Sequence, residues 1–261
     1  MDLAGRTAVI TGAGSGIGRA LAHEAAGRGM TLALLDSNAE MLAETAAPYG
    51  SAVLLRETAD VRDAAAVQDF ARRCAGHAPS IALVFANAGI LRAGLLAEQP
   101  ADEWRLIVDV NVSGTLATIT AFLPILRAAG APARIVITGS QSSFVARAGV
   151  CVYSASKHAL WSIAEGLKFE LDREASPIGV SFAAPGAVAT SLAGDAGPAD
   201  NPAQHQLARA LALHGAPPAA IARRMIDAAA EGRFWILPNP ETKDELRLRI
   251  QRVLDESDPL P

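Results

Sequence analysis

Short apolar and β-branched runs recur along the chain with little polar alternation: Thr7–Thr11, Thr31–Leu35, Ala52–Glu57, Ile81–Ala86, Arg134–Thr138, Val180–Ala183 and Phe234–Leu237. Runs of this kind suit parallel strands buried on both faces. Between them lie longer, Ala-rich stretches of helical period, near Gly16–Arg28, Ala39–Ala47, Ala64–Ala75, Asp102–Ala129, Val152–Arg173 and Pro218–Glu231. Strand and helix alternate throughout, which predicts βαβ units and the α/β class. The expected architecture is a doubly wound parallel sheet of about seven strands with helices on both faces. A single domain over residues 1–261 fits this length.

One stretch breaks the rhythm. From Val188 to Ala216 the chain is punctuated by Gly194, Gly197, Pro198, Pro202 and Gly215. Long, weakly structured segments inside a compact domain are commonly functional. This one follows a strand end, where open α/β sheets place their ligands, so a mobile substrate-binding lid over residues 188–216 is expected. An ordinary surface loop is the alternative.

Composition narrows the classes of partner. Hydrophobic residues make up 51% of the chain and charged ones 19%, enough apolar material for a large core and too much for disorder. A formal net charge of −4 with scattered Arg carries no electrostatic footprint for nucleic acid. No basic amphipathic stretch suggests a membrane surface, and no charge-free apolar segment suggests a span. Cys74 and Cys151 stand far apart with no ligand spacing around them, so neither a disulfide framework nor a metal site is expected. With an N-terminus that lacks an apolar signal core, a cytoplasmic location is the expectation.

Two local patterns carry candidate chemistry. Thr11-Gly12-Ala13-Gly14-Ser15-Gly16-Ile17-Gly18 lies between the first strand and the first helix. Glycines there allow a tight turn and bring backbone N–H groups to a pyrophosphate at a helix N-terminus. Ile17 stands where the usual spacing has its last glycine, and a ligand-free turn is the alternative. Asp36 closes the second strand, where a carboxylate accepts both ribose hydroxyls of an adenosine and repels a 2′-phosphate. Ser37 and Asn38 follow it rather than Arg or Lys, which favours NAD over NADP. Tyr153 and Lys157 share one helix face, and a nearby cation stabilises a phenolate. From spacing alone, a surface Tyr beside a solvated Lys is an equal reading.

Taken together, Thr11–Gly18, Asp60-Val61, Asn87-Ala88-Gly89, Asn111, Ser140, Tyr153/Lys157 and Pro185-Gly186 follow the order and spacing of the short-chain dehydrogenases/reductases. The sequence resembles that family from about Arg6 to Thr190, and in element order to Leu237. The resemblance implies a Rossmann fold with Gly12, Ser15, Gly16, Ile17, Gly18 and Asp36 around a dinucleotide. It implies that Tyr153 is general acid in reduction and general base in oxidation. Lys157 would lower the Tyr153 pKa and bind the nicotinamide ribose, and Ser140 would hydrogen-bond the substrate oxygen. Asn111 would hold a water that relays protons from Lys157. Asp60 and Val61 would contact adenine; Asn87, Ala88 and Gly89 would floor the adenosine ribose; Pro185, Gly186, Val188 and Thr190 would position the nicotinamide. Two departures stand out: Ala183 where Asn is common, and Gly139 in place of a frequent Ser.

Leu91, Gln141, Phe144, Val145, Val150, Val188, Leu192 and Trp235 are expected to line a largely apolar pocket. The expected substrate is a hydrophobic or aromatic secondary alcohol or its ketone, with oxidation the favoured direction. Arg92 or Arg147 could receive a carboxylate, although a solvated Arg is the commoner outcome. Alternative functions are a 3-oxoacyl-thioester reductase of the same family and a non-catalytic dinucleotide sensor. The resemblance also implies a homodimer or homotetramer built through Asp102–Ala129 and Val152–Arg173.

Overall fold

A computed structural model describes residues 1–78, 80–193 and 201–259. The seven expected runs all form strands: β1 (Thr7–Thr11), β2 (Thr31–Asp36), β3 (Val53–Thr58), β4 (Ile81–Ala86), β5 (Ala133–Thr138), β6 (Ile178–Ala183) and a two-residue β7 (Trp235–Ile236). They make one parallel sheet in the order β3-β2-β1-β4-β5-β6-β7. The strand order reverses between β1 and β4, which opens a crevice at their carboxyl ends.

The five inner strands, β1, β2, β4, β5 and β6, bury both faces, as their unbroken apolar patterns require, while the edge strand β3 stays partly exposed and Trp235 of β7 is exposed. Ala8, Ile10, Leu32, Leu34, Leu83 and Phe85 join one core layer, while Val9, Ala33, Leu35, Val84, Ile135 and Ile137 join the other. Helices α1 (Gly16–Gly27) and α8 (Pro218–Ala230) cover the first layer; α3 (Ala64–His77), α5 (Gly114–Ala129) and α6 (Cys151–Arg173) cover the second. The remaining helices are α2 (Ala39–Ala46), α4 (Ala101–Val108), α7 (Pro202–His214) and α9 (Glu241–Leu254).

Three features depart from the sequence reading. The helix expected over Asp102–Ala129 is divided into α4 and α5 by a π-helical turn at Asp109–Ser113. Part of the expected lid forms helix α7, capped at its start: Asn201 Oδ1 accepts the Gln204 N–H at 3.1 Å, with Pro202 at the first helical position. Residues 194–200 of the lid lie outside the described residues. Helix α9 was not anticipated. The run Ala101–Ala129 is long and apolar enough to span a membrane by composition, yet half of its apolar window is buried, with Ile107, Ile119, Phe122 and Leu126 turned into the protein.

Candidate active site

Most of the motifs singled out in the sequence follow the carboxyl end of a strand or close one, whereas Tyr153, Lys157 and Asn111 come from helical segments. Gly12 follows β1, Asp36 ends β2, Asn87 follows β4, Ser140 follows β5 and Pro185 follows β6. The fold therefore gathers them along the crevice at the switch point.

The glycine turn is a cradle with no room for side chains. Gly12 and Gly16 have positive φ, 66° and 50°. A Cβ on Gly12 would stand 2.8 Å from Ala88 Cα, and one on Gly14 would stand 2.9 Å from Asp36 Cγ. A Cβ on Gly18 would overlap the Gly12 carbonyl, so Gly18 supplies the close packing and Ile17 is free to be bulky. At the start of α1 the Ser15 side chain makes no capping bond and the first turn holds no acidic residue. That leaves the exposed N–H groups and positive end of the helix ready for an anion. These residues fit a dinucleotide pyrophosphate.

Asp36 uses one oxygen to accept the Gly14 N–H at 2.8 Å and the other to accept the Asn38 N–H at 2.8 Å. Its carboxylate thus stays beside the cradle with lone pairs left over. A cation that sequence proximity did not suggest lies close by. Arg19 donates to the Gly14 carbonyl at 2.9 and 2.6 Å and pairs with Glu44 at 3.0 Å. Asp60 is bound to Arg62, whose side-chain hydrogen bond holds its carboxyl below the usual range, and Val61 is buried against Gly114. Asn87 stitches strand ends together: its Nδ2 donates to the Thr11 carbonyl at 3.1 Å, and its Oδ1 accepts from Thr138 Oγ1 at 3.3 Å. Ala88 N–H donates to Thr11 Oγ1 at 3.2 Å.

The polar residues expected to be catalytic are buried together. Tyr153 and Lys157 point from α6 into the end of β5, 5% and 4% exposed, which discards the reading of a surface pair. Burial raises the Tyr153 phenol above its ordinary pKa, and a hydrogen bond with Ser140 opposes that rise. Lys157 Nζ donates to the Thr138 carbonyl at 3.0 Å and lies 5.7 Å from the Tyr153 ring centre. Burial brings its pKa down to about 8. Asn111 sits in the π-helical turn, fully buried. Its Oδ1 accepts the Ile90 N–H at 2.8 Å, and its Nδ2 donates to the Ile90 carbonyl at 3.0 Å and Ser156 Oγ at 2.9 Å. Gly89 lies between the two: a Cβ there would meet Asn111 Oδ1 at 3.2 Å and Lys157 Nζ at 3.3 Å.

Ser140 starts a short 3₁₀ turn over Gln141–Ser143, accepting the Ser142 N–H at 3.1 Å. The glycine preceding it has a packing reason. A Cβ on Gly139 would overlap the Phe182 ring, which belongs to a cluster with Phe144, Trp161 and Trp235. Opposite Ser140, Pro185 accepts the Gln141 N–H at 2.8 Å and Asn239 Oδ1 accepts the Gly186 N–H at 2.9 Å. Val188 is buried and pairs with Ala216, while Thr190 packs against Gly16.

Leu91, Ala93 and Tyr153 form a small apolar cluster with Val150, Leu192 and, from α7, Leu207, Ala208 and Leu211. Phe144 and Trp235, expected in the pocket, pack into the aromatic cluster instead. Gln204 straps α7 to the loop after β4, donating to the Leu91 carbonyl at 3.1 Å and accepting the Ala93 N–H at 2.5 Å. Arg147 pairs with Glu245 at 2.8 Å, while Arg92 is buried rather than solvated. Sequence reasoning missed Gln204, Asn239 and Glu245. The Asn201-Pro202 cap signal was the one available pointer to α7.

The family model described as short chain dehydrogenase matches residues 6–201. A "1-deoxy-11-beta-hydroxypentalenate dehydrogenase" of Streptomyces avermitilis is 39% identical over 197 residues, 74% of this chain and 72% of that protein. A "Cis-2,3-dihydrobiphenyl-2,3-diol dehydrogenase" of a Pseudomonas species is 34% identical over 201 residues, 75% and 71%. A Burkholderia phymatum short chain dehydrogenase/reductase solved in complex with NAD superposes with TM-score 0.93 at 32% identity, covering 100% of this chain and 98% of that one. A Burkholderia cenocepacia short chain dehydrogenase in complex with NADP, 23% identical, shares the fold with TM-score 0.78 over 98% of each chain. The chain belongs to the short-chain dehydrogenase family, and its class is oxidoreductase.

Proposed function

We propose that this protein is an NAD(H)-dependent dehydrogenase that oxidises a hydrophobic secondary alcohol to its ketone, with Tyr153 as the proton-transfer group. The observation that carries the reading is the buried Tyr153 phenol, hydrogen-bonded with Ser140 and flanked by Lys157, beside an apolar cluster at the switch-point crevice. NAD is preferred because the Asp36 carboxylate stands against the cradle where a 2′-phosphate would be repelled. Arg19, a cation beside the cradle, is engaged by Gly14 and Glu44. Support also comes from the relatives: one is named for a hydroxyl-bearing acid and another for a ring diol.

The bound dinucleotide would supply the hydride acceptor. Tyr153 Oη would take the hydroxyl proton of the alcohol, and Ser140 Oγ would hold the same oxygen as its charge develops. Lys157, cationic at neutral pH, would favour the phenolate. The gap kept open by Gly89 would admit a water between Lys157 and Asn111, whose Oδ1 retains a lone pair for it. Asn87 would act through the strand ends it ties together. Helix α7, held by Gln204, would serve as the substrate-covering part of the 188–216 segment.

A homodimer or homotetramer in the cytoplasm completes the reading. Trp104, Val108, Leu116 and Phe169 are exposed on the long helices, and the two cysteines are free. Sedimentation showing only monomer would remove the oligomer. The function itself is tested with a panel of apolar secondary alcohols and either NAD or NADP, following reduction of the dinucleotide by absorbance. Turnover with NAD is expected; a panel inert with both cofactors would overturn it.

A further inference from the structure

The C-terminal helix α9 lies beyond the span matched by the family model, yet it reaches the loop that carries Ser140. Gln141, the next residue, is 9% exposed, and its Nε2 donates to Glu245 Oε2 at 2.7 Å. Arg147 holds both oxygens of the same carboxylate at 2.8 Å. Arg249 adds hydrogen bonds to the Phe144 carbonyl and to His158 Nε2.

The chemistry of this contact fixes the orientation of an amide. An ionised carboxylate only accepts, so Gln141 must turn its NH₂ to Glu245 and its carbonyl oxygen the other way. That oxygen lies 3.3 Å from where a Cβ on Gly186 would be, between the Ser140 turn and the Pro185-Gly186 turn. It receives no hydrogen bond among the described residues: the Gly186 N–H donates to Asn239 Oδ1 at 2.9 Å, and Asn239 Nδ2, 3.3 Å from the same Cβ position, makes no bond to it. A partly buried acceptor without a donor favours a ligand that brings one.

We propose that Glu245 is a positioning residue that holds the Gln141 carbonyl oxygen toward the site, where it selects alcohols bearing a second hydroxyl beside the reacting carbon. The inference rests on the alcohol-oxidising function proposed above and narrows its substrate to vicinal diols or their like. Glu245→Gln removes the obligatory acceptor and lets the Gln141 amide adopt either orientation. Gln141→Met removes the acceptor oxygen at similar volume and leaves the Arg147–Glu245 pair in place.

The test is the ratio of kcat/KM for a cis-vicinal ring diol to that for the mono-alcohol of the same skeleton, cis-indanediol and indanol. A merely structural role for Glu245 would lower both values together and leave the ratio unmoved. The wild type should prefer the diol by about tenfold, the worth of one well-placed hydrogen bond. Both variants should bring the ratio to about one. A wild type indifferent to the second hydroxyl, or a ratio that survives either substitution, overturns the inference alone. A wild type that oxidises neither these nor any other secondary alcohol overturns the proposed function, and this inference with it.

Discussion

Lys157 Nζ donates to the Thr138 carbonyl at 3.0 Å, and that carbonyl is its one hydrogen-bond acceptor among the described residues. An ammonium that is 4% exposed with a single neutral partner is a destabilising feature of the fold.

Lys157→Met is therefore expected to stabilise the cofactor-free protein at pH 7 while destroying turnover. The folded pKa is about 8 against an ordinary 10.5, so burial of the charge costs roughly 3 kcal/mol at ~1.4 kcal/mol per unit. Loss of the bond to Thr138 returns about 1 kcal/mol of that. The net gain of about 2 kcal/mol corresponds to a rise of several degrees in Tm. The sign with pH follows from linkage. Between pH 8 and 10.5 the unfolded chain binds the extra proton, so wild-type stability rises with pH there. The advantage of the variant should shrink across that window, as melting curves at neutral and alkaline pH would reveal. An equal advantage at both ends would refute the assignment of the cost to the buried charge.

Gly139→Ala places a methyl group in the Phe182 ring. Overpacking of this kind costs about 1–3 kcal/mol. Phe182→Leu should absorb part of it, so the double variant should be less destabilised than the sum of the two single ones by about 1 kcal/mol. Strict additivity in chemical denaturation would contradict the contact.

That glycine also marks how far the sequence could be read. The five inner strands were legible because strands buried on both faces leave unbroken apolar runs, and a parallel order puts the glycine turn, Asp36, Asn87, Ser140 and Pro185 at one edge of the sheet. The burial of Tyr153 and Lys157 was not legible from a four-residue spacing; the packing of α6 on β5 decides it. Phe144 sat near Ser140 in sequence but turned into an aromatic cluster, since a short 3₁₀ turn redirects the chain there, and Trp235 of the edge strand β7 packs into the same cluster. Helix α7 was hidden by flanking Gly and Pro residues, although Asn201-Pro202 is a helix start. Helix α9 and its Glu245 were invisible because their contact with Gln141 spans 104 residues.

Asp36 is expected to set cofactor choice. The wild type should favour NAD over NADP in kcat/KM by about a hundredfold, in the range that unpaired or repelled charges impose. Asp36→Ala should reduce that preference at least tenfold, and it also removes the acceptor of the Gly14 N–H, so NAD itself should bind less tightly. Equal wild-type values for the two cofactors would count against the ribose contact.

Gln204→Ala removes two hydrogen bonds that hold α7 to the loop after β4 and leaves the one from Asn201 Nδ2 to the Ala93 carbonyl at 2.6 Å. Because Gln204 is 2% exposed and bonds both Leu91 and Ala93, its loss should raise KM for the alcohol severalfold more than it lowers kcat. Michaelis parameters with NAD saturating would decide. A change confined to kcat would argue that α7 does not cover the substrate.

The most direct test of the account is Tyr153→Phe, which removes one hydroxyl from the buried pair. The rate of NADH formation from an apolar secondary alcohol should fall by about 10³-fold or more, near the upper range for general acid–base groups. NAD should still bind within a few-fold of wild type by fluorescence titration, because the glycine cradle and Asp36 are untouched. A variant that binds NAD and turns over at a near-normal rate would contradict the role of Tyr153, and with it the central claim.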